Sequence, residues 1–288
     1  MQEILAVDVG ATKLAAARVT SDGLIKKQSS ILTKANDGEE LFNKLLSLCE
    51  EVLEEVEVEG CGVGSAGPMS YRGDEISPLN IPQWRNFPLK SKLSEALGVP
   101  VVLDNDAKAI ALAEGWIGAA SDQRNYLAMV VSTGIGGGLV IDGKLLDGEM
   151  GNAGHIGHIN VEADGPLCAC GSRGCLEAVA SGYAIEKEIG MPATEASEEI
   201  KIRSGYFVGK AISIVVNLLN IPTVVIGGSV ALGFGSSFLK EVRSTAANFC
   251  GLDFTQNLQI NFVGLKKDAP LIGGAAVWLN AKSMIHSD

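Results

Sequence analysis

Basic residues are scarce in this chain: 23 Lys and Arg stand against 34 Asp and Glu in 288 residues, a formal charge of −11. A phosphate backbone would meet net repulsion from such a molecule unless a local basic patch existed, and no stretch supplies one, so no nucleic-acid partner is expected. No apolar run approaches the ~20 residues that a membrane span needs, and no membrane partner is expected either. The first ten residues, MQEILAVDVG, lack a basic region followed by a long apolar segment and a small-residue cleavage site, so they do not read as a secretory signal. Disulfides are not indicated: of six cysteines, three crowd into one loop, while Cys49, Cys61 and Cys250 sit in apolar patterned segments. A reducing cytoplasm fits that usage. Two familiar nucleotide signatures are also missing. There is no GxxxxGK[ST], and the glycine run at 134–138 leads into a strand pattern instead of the helix that a dinucleotide fingerprint requires.

What is present describes a globular chain, 47% hydrophobic and 20% charged, long enough for two domains. Residues 3–9 (EILAVDV) predict a strand, DVGATK a tight turn, LAAARV a second strand and 24–33 a third extended piece. Apolar residues at helical spacing from Leu41 to Val56 predict an amphipathic helix over 38–56. A strand at 60–65, a loop-rich stretch over 69–90, and a strand at 100–104 running into Asn105 and Asp106 follow, with a helix of about a dozen residues beginning near Ala107. For Asn105 and Asp106 the plain structural role is that of helix cap. The grammar then restarts: LAMVVST is a strand, GIGGG a turn and LVIDGKLL a strand, which suggests two related halves. A long helix over 198–220, the strand TVVIGGSVA opening onto a glycine pair, and a last helix over 270–283 complete an α/β pattern.

The densest chemistry lies in His158 to Cys175, HINVEADGPLCACGSRGC, where one imidazole and three thiols occupy relative positions 0, 10, 12 and 17. Cys3His is a closed tetrahedral ligand set for structural zinc, and glycines 165, 171 and 174 with Pro166 allow so short a loop to fold back. Three unrelated buried thiols, or a disulfide, are the alternatives. Three glycine-rich turns, DVGATK, STGIGGG and IGGS, offer backbone N–H groups to phosphate oxygens. Ordinary hairpin turns are the plain reading of any one of them. Taken together they suggest a nucleotide triphosphate cradle in which Asp8 helps to position magnesium and Lys13 lies near phosphate charge.

Over essentially its whole length the chain resembles the ROK sugar kinases of the actin and hexokinase superfamily. DVGATK, LDNDAKA, STGIGGG, GNAGHIGH, GPLCACGSRGCLEA, GGSVA and DAPLIGGAA occur in that family's order. The resemblance implies a two-domain actin/hexokinase-like (ribonuclease H-like) fold with ATP and sugar in a cleft between the domains. On that basis we place the small N-terminal domain at 1–112 plus 274–288, and the large domain at 113–273 with the zinc loop at 155–177. It further implies transfer of the ATP γ-phosphate to a sugar hydroxyl, with Asp106 as catalytic base. His158, Cys168, Cys170 and Cys175 would be the zinc ligands. Asn80, Asn105, Asp106, His155, His158 and Glu177 would bind sugar, and Asp8, Gly10, Thr12, Lys13, Thr133, Gly134, Gly136 and Gly228 would bind magnesium and nucleotide. A homodimer or higher homo-oligomer is expected.

One position separates substrates. Most glucokinases of the family carry glutamate three residues before the zinc histidine, whereas this chain has His155 in Ala153-Gly154-His155-Ile156-Gly157-His158, a form most similar to bacterial N-acetylmannosamine kinases. A carboxylate only accepts hydrogen bonds, while a neutral imidazole can donate to an acyl carbonyl. His155 as a space-filling polar residue is the alternative. The expected reaction is 6-phosphorylation of N-acetylmannosamine, with a glucokinase or broad hexokinase as the second reading. A sugar-sensing repressor is the third, disfavoured because such relatives place a helix-turn-helix ahead of the first strand, which here starts at residue 3.

Overall fold

The computed structural model describes residues 2–70 and 73–285. In chain order the regular elements are β1 (Glu3–Val9), β2 (Lys13–Thr20), β3 (Ile25–Leu32), α1 (Gly38–Leu53), β4 (Cys61–Ser65), α2 (Leu89–Leu97), β5 (Val101–Asn105) and α3 (Asp106–Ile117). The second series is β6 (Tyr126–Val131), β7 (Ile135–Ile141), β8 (Lys144–Leu145), α4 (Leu176–Ala180), α5 (Gly182–Ile189), α6 (Glu198–Leu219), β9 (Thr223–Gly227), α7 (Ser229–Phe249), β10 (Gln259–Phe262) and α8 (Ala269–Ile285). The chain forms two compact units: Met1–Ile117 with Asp147–Ala153 and Lys267–Asp288, and Gly118–Leu146 with Gly154–Lys266. The sequence-based division ran to 112 and resumed at 274. The short passage Asp147–Ala153 belongs to the first unit by packing alone.

The first unit is built on a sheet of order β3-β2-β1-β4-β5. β1 and β2 are antiparallel, as are β2 and β3, while β1, β4 and β5 run parallel. The near-continuous apolar runs of β1 and β2 follow from burial on both faces. Leu5, Val7 and Val9 join α1, α2 and Trp84 on one side, and Ile4 and Ala6 join Leu271, Ala275 and Trp278 of α8 on the other. In β4, CGVGS, the glycines occupy the second face. A Cβ at Gly62 would stand 1.9 Å from the Gly274 carbonyl oxygen, so only glycine lets α8 lie against the sheet there, and one at Gly64 would stand a tight 3.2 Å from Ala109 Cβ of α3.

Helix α1 starts on the Asp37 carboxylate, which accepts from the Glu40 N–H at 2.8 Å. It stops three residues short of the end that its periodicity predicts, with Glu54 and Glu55 at φ 49° and 66°. The reason is tertiary: Arg18 of β2 donates to the Leu53 carbonyl at 2.9 Å and binds the Glu54 carboxylate at 3.5 Å, closing the helix where its own repeat would continue.

The second sheet, read as β8-β7-β6-β9-β10, repeats the first strand for strand: antiparallel β6–β7 and β7–β8, parallel β6–β9 and β9–β10. The duplication expected from the recurring strand, turn, strand units is therefore a duplication of sheet topology. Two local expectations differ. The glycines of GIGGG are not all turn: β7 begins at Ile135 and contains Gly136, Gly137 and Gly138. LVIDGKLL is not one strand, because Asp142 (φ 53°) and Gly143 (φ 80°) make a tight hairpin turn between β7 and β8. Helices α6 and α7 pack closely where Cβ atoms at Gly205 and Gly209 would meet the Phe238 and Val242 carbonyl oxygens at 2.8 and 2.6 Å. By length and composition α6 could cross a membrane, yet half of its apolar window is buried within this fold.

Candidate active site

At the carboxyl end of β1, Asp8 precedes the β1–β2 turn, in which the Gly10 N–H donates to the Lys13 carbonyl at 3.1 Å. A Cβ on Gly10 would stand 2.9 Å from that carbonyl oxygen. Thr33 fastens the turn from β3's end, its hydroxyl donating to the Gly10 carbonyl at 2.7 Å and its N–H to the Thr12 carbonyl at 3.0 Å. Thr12 and Lys13 remain exposed. Burial, and then the charge of Asp106, push the Asp8 carboxyl up to about 7, against a smaller lowering by Lys13. Asp8 and Asp106 therefore feel one another within the first unit.

Asp106 opens α3 directly after β5. Its Oδ1 accepts the Ala107 N–H at 2.8 Å, and Asn105 Oδ1 accepts the same N–H at 3.0 Å. The capping role weighed for Asn105 is thus present, and it turns the amide NH2 of Asn105 into the group left for a ligand. Burial raises the Asp106 carboxyl above the ordinary carboxylate range. Asn80 is exposed on the loop that precedes α2. That loop is held by Arg85, whose guanidinium donates to the carbonyls of Pro78, Leu79 and Ile81, a bracing residue that no sequence pattern announces.

In the second unit Thr133 is exposed at the β6–β7 turn, which the Ser132 N–H closes onto the Gly134 carbonyl at 2.9 Å. Gly136 follows inside β7. Two further elements converge on this turn. Gly228, at φ 95°, admits no side chain, since a Cβ would lie 2.3 Å from the Val131 carbonyl oxygen, and so α7 begins there with Ser229 Oγ 2.9 Å from Ser132 Oγ. Glu177 of α4 accepts the Ile135 N–H on Oε2 at 2.9 Å, and a Cβ at Gly134 would crowd that oxygen to 2.8 Å. The carboxylate assigned to sugar is therefore also bonded to the glycine-rich turn assigned to nucleotide.

His155 caps and His158 ends a single 3-10 turn, Ile156–His158, laid on β7. The glycines of both partners make this possible: Cβ atoms at Gly154 and Gly157 would come within 2.2 Å of the Gly137 and Ile135 carbonyl oxygens. The two imidazoles stand 5.9 Å apart between ring centroids, with His155 exposed and His158 partly buried.

From His158 the chain enters the cysteine loop. Its neck is tied by Val161 N–H to the Gly174 carbonyl at 2.8 Å and Leu176 N–H to the Ile159 carbonyl at 3.0 Å, and Lys210 of α6 donates to the Val161 carbonyl at 2.6 Å. Donor atoms of His158, Cys168, Cys170 and Cys175 all lie within 4.8 Å of one another, so the four could hold a metal ion. His158 Nδ1 is 3.7 Å from Cys168 Sγ, and Cys170 Sγ is 3.7 Å from Cys175 Sγ. Two thiolates on one tetrahedral zinc, each about 2.3 Å from the ion, stand roughly 3.8 Å apart, so the donor set fits that ion. The Ser172 N–H, with smaller help from the neighbouring sulfurs, draws the exposed Cys170 thiol down to about 6, which favours the thiolate that a metal needs. Burial, with smaller raising by the neighbouring Cys170 and Cys168 sulfurs, pushes the Cys175 thiol up to about 12.

The ROK family model matches residues 4–281. The chain belongs to the ROK family. It is 34% identical to an N-acetylmannosamine kinase from Citrobacter koseri over 94% of this chain and 97% of that protein. It is 30% identical to a glucokinase from Thermotoga maritima, with 96% of each covered. A ROK glucokinase from Streptomyces griseus, solved with glucose and AMPPNP, superposes with a TM-score of 0.84 at 28% identity, covering 97% of this chain and 99% of that one. With the ROK membership go the actin/hexokinase-like fold and the enzyme class, an ATP-dependent carbohydrate kinase.

Proposed function

We propose that this ROK kinase phosphorylates N-acetylmannosamine at its 6-hydroxyl. The observation that carries this reading is His155: an exposed imidazole stands where most glucokinases of the family place a glutamate, one 3-10 turn from His158. The Citrobacter koseri relative, an N-acetylmannosamine kinase, supports it. An imidazole N–H can donate to the acyl carbonyl of a 2-acetamido sugar, which a carboxylate cannot.

In this reading Asp106 accepts the proton of the attacking hydroxyl, a contribution of about 10²- to 10⁴-fold for general bases. Oδ1 is anchored on the Ala107 N–H, which leaves Oδ2 to meet the substrate. Asn105 and Asn80 offer amide groups to ring hydroxyls, and Glu177 and His158 hold the sugar from the cysteine loop. Bound zinc would fix that loop, with His158, Cys168, Cys170 and Cys175 as ligands; metal on Nδ1 leaves Nε2 of His158 to a hydroxyl. Magnesium accompanies ATP and neutralises phosphate charge, with Asp8 the residue to position it and Lys13, Gly10, Thr12, Thr133, Gly134, Gly136 and Gly228 surrounding the phosphates. We place the enzyme in the cytoplasm as a homodimer or higher homo-oligomer.

The Thermotoga maritima glucokinase, at 30% identity, favours glucose as the second reading. A coupled assay with ATP and magnesium decides between them. The proposal expects a higher kcat/KM for N-acetylmannosamine than for glucose or N-acetylglucosamine; a clear preference for glucose overturns it.

A further inference from the structure

Lys108 is 2% exposed in the first turn of α3, two residues after Asp106. Lysine is rarely buried so completely unless its charge is matched. Here the ammonium meets three acceptors: Asp104 Oδ1 at 3.2 Å, Asp147 Oδ1 at 2.6 Å and the Gly151 carbonyl at 3.0 Å. Three N–H bonds and three acceptors leave it no capacity for acid, base or nucleophilic work, so its contribution has to be geometric.

The geometry has two arms. One reaches back to β5, where Asp104 Oδ1 also accepts the Asn105 N–H at 2.7 Å and so orients the peptide that carries Asn105 and Asp106. The other reaches 39 and 43 residues ahead, to Asp147 at the start of the passage Asp147–Ala153 and to Gly151 inside it. That passage is closed on itself by Ala153 N–H to the Asp147 carbonyl at 2.9 Å, and it includes Gly148 and Gly151 at φ 70° and 75°. Its side chains make no core of their own: Met150 is 62% exposed. Yet the passage packs with the first unit, and the chain runs from it through Gly154 straight into His155.

We propose that Lys108 is a positioning residue for sugar phosphorylation, a latch that holds the Asn105–Asp106 turn and the 147–153 passage leading to His155 in one fixed arrangement. The inference rests on the assignment of Asp106 and His155 to the sugar. It predicts an asymmetry, because the latch touches the sugar side of the chemistry and none of the glycine-rich turns.

The test uses the full chain with Lys108→Met and Asp147→Ala. Asp147 is about half exposed, so its variant should fold even if loss of the buried lysine prevents folding of the other. Three readouts are taken: the steady-state constants for each substrate, the thermal midpoint, and the rate of limited proteolysis within 148–152 with and without sugar. The expected result is a rise in sugar KM and a fall in kcat of roughly 10- to 100-fold for Lys108→Met, as for misplaced catalytic groups, with the KM for ATP unchanged. Asp147→Ala should raise the sugar KM less, and speed cleavage in a way that bound sugar suppresses. Folded variants with unaltered kcat and sugar KM, or an equal rise of both KM values, overturn the latch. Failure of the underlying assignment shows separately, as retained turnover in Asp106→Asn, while the cleavage readout still reports on the loop.

Discussion

Asp8 and Asp106 stand at the same end of the first sheet, with β4 between β1, which carries Asp8, and β5, which leads into Asp106. Gly64 pairs in register with Asp8, and a Cβ on Gly64 would lie 3.8 Å from the Asp106 Cα. Burial makes ionisation of Asp8 harder, and an ionised Asp106 makes it harder still, so the Asp8 carboxyl is pushed up to about 7. In the proposed reading, a magnesium ion beside Asp8 would favour the ionised carboxyl and so oppose both effects.

The first prediction concerns stability. Below the ordinary Asp value of 3.8 the Asp8 carboxyl is neutral in folded and unfolded chains alike; from there to about 7 only the unfolded chain ionises, so stability falls as pH rises through that window. Asp8→Asn cannot ionise. Without nucleotide it should melt several degrees above the parent at pH 8 and level with it at pH 4, as read by calorimetry. A pH-independent difference would contradict this origin.

Asp106→Asn should lower kcat by at least about 10²-fold while leaving sugar affinity, measured by calorimetric titration, within a few-fold. In the parent enzyme kcat should fall on acidification with a midpoint above the ordinary carboxylate range, because burial raises the Asp106 carboxyl. Turnover that persists in the Asn variant removes Asp106 from its role.

Glu177 bonds the Ile135 N–H, and Gly134 leaves room for its carboxylate by having no Cβ. Gly134→Ala should therefore displace Glu177 and raise the KM for sugar as well as that for ATP, on the order of 10-fold each. A change in the ATP constant alone would uncouple the two.

Metal analysis of purified protein should find one zinc per chain. Stripping it with a chelator, or Cys175→Ser, should lower the melting temperature and weaken sugar binding, with nucleotide binding little altered. Full sugar affinity in verified zinc-free protein would refute the bracing role of the loop.

Much of this was readable from local pattern. Short apolar runs located β1, β2 and β6, helical spacing located α1 and α6, and the repeated strand, turn, strand units anticipated two sheets of one topology. The four donors of the cysteine loop were legible because they lie within eighteen residues, where glycine and proline alone can bend the chain enough to gather them. The misreadings have physical causes as well. Glycine pattern suggested turn at 136–138, but those residues are strand, paired with Val130, Met129 and Ala128 of β6, and the histidine turn lies against the backbone at Gly137. Helix α7 is capped at Gly228, where the Val131 carbonyl leaves no room for a side chain, and it is broken by a kink at Gly235, φ 69° and ψ −144°, neither of which its composition reveals.

By itself, then, the sequence determined most elements and the cysteine loop whose four donors could hold a metal, since both depend on residues within a few turns of one another. Only the tertiary structure decided which passages keep company. Lys108 finds Asp147 and Gly151 across about forty residues, and Arg18 ends a helix from a neighbouring strand. Such pairings depend on which surfaces the packed core brings together, and a buried charge accepts whatever counter-charge that packing supplies.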